Sequence, residues 1–161
     1  MKLQLPYSWA IAALLTTAFF CHAGAARAQS APAASFEDCP PFPSQFADIV
    51  HWEHRQIPGM LFCRALLADG TEAFALTVSA ESPFKPRRGL REETSTLGNG
   101  HELIWYRAEI IGQTSMLGRE ALVQLAPDRV AHLSMRAPDA DTLSKFESYA
   151  ASLPYPDYTA D

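Results

Sequence analysis

Between residues 60 and 136 the chain alternates apolar and polar side chains in short runs, and each pair of runs is parted by tight-turn residues. A period of two puts every second side chain on one face of an extended chain, so these runs specify strands with one buried face. Residues 60–67 and 72–80 flank Ala68-Asp69-Gly70-Thr71, and Asp-Gly between apolar runs is a strong hairpin signal. Residues 90–97 and 101–111 flank Gly98-Asn99-Gly100, which tolerates positive φ. Residues 119–126 and 129–136 turn at Pro127-Asp128. In the second run, Phe74, Leu76 and Val78 share a face. In the fourth, Ile104, Tyr106, Ala108 and Ile110 lie opposite the mixed set Leu103, Trp105, Arg107, Glu109 and Ile111.

Two segments read as helix. Ser44 can cap a short helix over 45–55, with Phe46, Ile49 and Val50 at helical spacing and Pro58-Gly59 to end it. Asp139 or Asp141 can cap a second, running to about 153 and burying Leu143, Phe146, Tyr149 and Ala150, with Pro154 and Pro156 beyond. The expected fold is therefore α+β. A twisted antiparallel sheet of about six strands, in three hairpins, carries an N-terminal short helix and a C-terminal helix packed on it. This domain spans 44–153, after a flexible or proline-rich leader over 29–43 and before a C-terminal tail over 154–161.

The first 28 residues predict export. Ala10 to Phe20 is an uncharged apolar stretch too short to span a bilayer, and Ala26-Arg27-Ala28 offers the small residues a signal peptidase requires. Cleavage after Ala28 places the chain in the periplasm or outside the cell, with no stable membrane anchor. Lipidation at Cys21 is disfavoured by Phe19 and Phe20 before it. Two cysteines then remain, Cys39 and Cys63, and an oxidising compartment makes them a disulfide rather than a redox pair, which would want C-x-x-C spacing.

Loss of Lys2 and Arg27 with the signal leaves 11 basic against 18 acidic side chains, a net charge of −7. Nucleic-acid binding, which needs a basic footprint, is disfavoured. No catalytic motif stands out. Ser115 lies between Gly112 and Gly118, but the spacing is not G-x-S-x-G and the segment joins two hairpins. Neighbouring Glu92 and Glu93 point to opposite sides of a strand. His101 or His132 could serve as a base if a carboxylate oriented it. His51 and His54, at i and i+3 of the expected first helix, are the best metal candidates, with His101 or His132 as a third ligand, although the stretch is not H-E-x-x-H.

Pro83-Phe84-Lys85-Pro86-Arg87-Arg88 differs from the rest, placing an aromatic ring and three positive charges on a proline-stiffened loop of an acidic chain. A stiff loop loses little entropy on binding, and aromatic and Arg side chains make strong contacts. Phe84, Lys85, Arg87 and Arg88, with Trp105 as a neighbour, form the expected contact set, and another protein is the expected partner. The reading is a non-enzymatic protein-binding module without cofactor, of inhibitor or immunity type. The alternative is a small periplasmic metal-binding protein or enzyme built on His51 and His54.

Overall fold

The computed structural model describes residues 38–109 and 115–156. The expected signal peptide over 1–28, the leader up to residue 37 and the tail from residue 157 lie outside the described residues.

Seven strands of the described residues form one antiparallel sheet: β1 Val50–Ile57, β2 Met60–Leu67, β3 Glu72–Ser79, β4 Arg91–Thr96, β5 Glu102–Arg107, β6 Leu117–Ala126 and β7 Arg129–Ala137. One helix follows, α1 Ala140–Ala151. The order across the sheet is β1-β2-β3-β7-β6-β5-β4. Two meanders, β1–β3 and β4–β7, thus meet where β3 pairs with β7, leaving β1 and β4 at the edges.

The three hairpins read from sequence are present. At the β2–β3 turn the Gly70 N–H donates to the Leu67 carbonyl, Asp69 Oδ1 accepts from the Thr71 N–H, and Gly70 has φ +82°. The expected helix over 45–55 is replaced. Residues 44–49 make a run of turns and residues 50–57 are β1, giving a seventh strand. Helical spacing of Phe46, Ile49 and Val50 is also compatible with a turn feeding a strand. β-Branched Val50 and Ile57 with Trp52 favour the extended chain. Pro58-Gly59 closes a fourth hairpin instead of ending a helix: Ile57 pairs with Met60, and Gly59 has φ +77°, as a proline-led type II turn requires.

One sheet face and α1 enclose the core. Leu61, Cys63, Ala65, Phe74, Leu76, Val78, Leu103, Trp105, Ala121, Ala131, Leu133 and Met135 are buried at alternating positions, facing Leu143, Phe146 and Ala150 of α1. Asp139 caps the helix, accepting from the Thr142 N–H at 2.8 Å. The margins of the expected domain are also packed. Phe42 stacks on Trp52 at 4.5 Å between centroids, and the Trp52 indole N–H donates to the Pro40 carbonyl at 2.7 Å. Tyr155, expected in a loose tail, is buried, and its hydroxyl donates to the Ala150 carbonyl at 3.0 Å. The disulfide joins Cys39 to Cys63 of β2 with Cα atoms 6.0 Å apart. No helix of the described residues is long and apolar enough to cross a membrane.

Candidate functional site

The sheet order dictates where the loop after β3 must run. β3 lies mid-sheet and β4 is the far edge, so residues 80–90 cross β7, β6 and β5. Four strand spacings are roughly 19 Å, well within the reach of an 11-residue segment. The crossing lies over the face opposite α1, where His132 of β7, Glu120 of β6 and Tyr106 of β5 project.

Phe84 anchors the crossing. Its ring stacks on the His132 imidazole with centroids 5.3 Å apart and planes 8° from parallel, and meets Tyr106 edge-on at 5.7 Å. The buried Ser82 hydroxyl accepts from the Phe84 N–H at 3.1 Å, which fixes the backbone before the ring. His132 Nε2 lies 3.1 Å from Glu120 Oε1. Burial holds the imidazole below its usual range of protonation, with the Glu120 carboxylate opposing that shift. Around this platform Pro83, Phe84, Lys85, Arg87, Leu90, Arg107, Glu109, Glu120 and His132 line an open cleft of about 380 Å³. Lys85, Arg87 and Arg88 are exposed. Arg107 lies 3.5 Å from Glu92.

The structure thus brings Phe84, Lys85 and Arg87 to one cleft, with Arg88 beside it in the short 3₁₀ turn Arg88–Leu90. Trp105 is not a neighbour. It is fully buried on the α1 face, its indole N–H bonded to Ser95 Oγ at 2.8 Å, and Tyr106 takes its place beside Phe84. Sequence reading weighed His132 as a base or a third metal ligand and passed over Glu120 and Tyr106 as site residues. Alternation groups Tyr106 with Ile104 and Ala108 on the more apolar face of its strand, whereas the structure buries Leu103 and Trp105 of the mixed face and turns Tyr106 outward. His51 and His54 do not converge. On β1 rather than a helix, positions three apart point to opposite faces. No group of three ligating side chains among the described residues is spaced to hold a metal ion.

A second cluster lies in the core layer. Arg119 of β6, only 12% exposed in its side chain, forks onto Glu93 of β4, with its Nη2 3.2 Å from Oε2, while its Nε is 3.7 Å from Glu147 Oε1 of α1. Glu147 is 8% exposed and Oε1 has no hydrogen-bond partner. Two carboxyls share one guanidinium, so one proton is retained. Burial, then a hydrogen bond to Glu93, pushes Glu147 up to about 8, whereas the Arg119 hydrogen bond holds Glu93 below its usual range. A larger cleft of about 1160 Å³ reaches Arg119, but it is bounded by Ala108 and Met116 on either side of residues 110–114, which lie outside the described residues.

Comparison of the chain with protein-family models, with curated proteins and with solved structures finds no match in any of the three.

Proposed function

We propose that this protein is an exported, non-enzymatic binding module. It would engage an acidic surface of another protein through the crossing loop, in the manner of an inhibitor or immunity factor, and needs no cofactor. The observation that carries the reading is the seating of Phe84. A ring stacked on His132 and braced by Tyr106 holds Lys85, Arg87 and Arg88 on a surface already ordered before contact, so little conformational entropy is lost on binding. The cleft combines one partly exposed aromatic ring with three cations, Lys85, Arg87 and Arg107, against Glu109 and Glu120. Aromatic and Arg side chains are the residue types that dominate binding energy at protein interfaces. Export is supported by the apolar stretch and cleavage pattern of residues 1–28 and by a disulfide that persists in oxidising compartments.

The test is capture from envelope extract on the immobilised, oxidised protein, beside an Arg87→Ala/Arg88→Ala double variant and Phe84→Ala. One dominant partner in near-equal amount is expected on the wild type, and about tenfold or greater weakening with either variant. Retention should also fall as salt rises, since exposed charges steer and hold the encounter. Equal retention by wild type and both variants would remove the loop from the interface.

A further inference from the structure

The two edges of the sheet are guarded unequally. β4 is six residues long, its register slips between Arg91 and Thr94, and α1 lies along it. Short edges, bulges and covering helices are the usual protections against edge-to-edge pairing. Among the described residues β1 has none of these. All eight of its residues keep register with β2, no proline or bulge interrupts it, and Ile57 at its end is 46% exposed.

The hairpin geometry shows which backbone groups are open. A two-residue turn makes Ile57 and Met60 the closing hydrogen-bonded pair, so alternation directs the N–H and C=O of His51, Glu53 and Arg55 toward β2. Those of Trp52, His54 and Gln56 therefore face outward. The next strand agrees with this phase, because the Leu67 N–H is directed away from β1 to the Thr71 carbonyl.

We propose that β1 is a self-association edge, at which two copies pair their β1 strands antiparallel about a twofold axis through His54. Charge selects the partner and the register. In antiparallel pairing of a strand with itself the axis must pass through a residue, because paired positions share their hydrogen-bonding phase. Centring on Glu53 opposes two carboxylates, and centring on Arg55 opposes two guanidinia. Centring on Trp52 leaves the residues after His54 without a partner. Centring on His54 engages residues 51–57 and sets Glu53 against Arg55 of the other copy twice, once on each side of the axis. Opposite charges placed across a strand pair are stabilising, and like charges are not.

Both groups are available. No ion pair to Arg55 occurs among the described residues. Glu53 gives Oε2 to Arg64 at 3.0 Å and retains Oε1, with its side chain 42% exposed. Paired in this way, the two seven-stranded sheets continue into one another, and Ile57 comes to lie opposite His51 of the other copy. An unrelated strand gains the same backbone bonds but not the reciprocal charges.

The test is sedimentation of the purified oxidised protein from low-micromolar to near-millimolar concentration. A monomer–dimer equilibrium is expected. Arg55→Glu should weaken it about tenfold or more, because two favourable cross-strand pairs become two repulsive ones. Glu53→Arg should do the same, and mixing the two variants should restore a heterodimer, since each chain then opposes the charge of the other. Circular dichroism checks that each variant folds. His54→Pro gives an independent reading, because it removes an outward N–H at an edge position where proline is tolerated. A protein monomeric throughout the range would overturn the proposal. So would a dimer indifferent to His54→Pro and Arg55→Glu, which would place the contact elsewhere, and so would variants that fail to recombine.

Discussion

Glu147 shows how one side chain can make a fold sensitive to pH. It occupies a core-facing position of α1 among Leu143, Phe146 and Ala150, where an apolar residue is the ordinary choice. Its carboxyl retains a proton because it is buried and because a second carboxylate, Glu93, already holds Arg119. An unfolded chain ionises this group near the usual carboxylate value, whereas the folded chain does so only at about 8. The folded state therefore binds more protons between those values, and its stability falls as pH rises through that window. His132 acts with opposite sign. Its protonation is depressed by burial, so folding gains stability as pH rises toward the ordinary histidine value. Above about 6.5 that contribution levels off, while the Glu147 contribution continues to fall. Raising the pH from about 6.5 to 8 should cost the wild type about 1–2 kcal/mol through this residue. Glu147→Gln, which keeps a donor toward Glu93 without a titrating proton, should abolish the slope. Thermal or denaturant unfolding at the two pH values reads both, and an unchanged slope in the variant would show that another group is responsible.

At the scale of elements, the disulfide is the strongest local constraint on β1 and β2. Cys39 and Cys63 close a loop 24 residues apart in sequence that contains the whole of β1 and its turn. Such a loop restricts the unfolded chain by about 3 kcal/mol in the chain-entropy model. A Cys39→Ser/Cys63→Ser double variant should lose that order of stability in denaturant unfolding, with a loss below about 1 kcal/mol showing that the segment is tied by packing alone. Phe42 and the indole bond of Trp52 to Pro40 provide that second tie.

The elements differ in how far they were legible before the structure. The hairpins at Asp69-Gly70, Gly98-Asn99-Gly100 and Pro127-Asp128 were readable because turn chemistry and alternation agree there. α1 was readable because a capping Asp139 precedes an apolar stripe. β1 was misread because Phe46, Ile49 and Val50 satisfy helical spacing while Pro58-Gly59 serves equally as helix stop and hairpin turn. The loop cations were legible by contrast with an acidic chain. The face of Trp105 and the Arg119 cluster were not, because each depends on elements distant in sequence, and the Glu120–His132 contact was not, because it lies across a hairpin whose register shifts between Gln124 and Ala126. Glu147 and Arg119 are 28 positions apart and look like surface residues until α1 is laid across β4 and β6.

At the scale of the whole molecule, the topology determines which parts can open separately. Among the described residues the only strand pairing between the two meanders is β3 with β7, running from Ala75↔Ser134 to Ser79↔Val130. Leu76, Leu133 and Ala121 form a buried row across β3, β7 and β6 beneath α1, so opening there exposes the largest apolar surface and demands global unfolding. β1 hydrogen-bonds to a single neighbouring strand, and beyond that it is held by Trp52 against Phe42 and Phe74 and by the loop that the disulfide closes. Local opening free energies should therefore rise from the β1 edge inward, and native-state hydrogen exchange should find the slowest amides in β3, β6 and β7. Reducing the disulfide removes a tie of β1 and β2 but none of β6 and β7. Mild reduction should then accelerate exchange in β1 and β2 while amides of Leu133 and Ala121 keep their protection, until conditions approach global unfolding. If reduction instead accelerated all seven strands equally, the sheet would be one cooperative unit held closed by the Cys39–Cys63 bond, and the division into two meanders would have no energetic meaning.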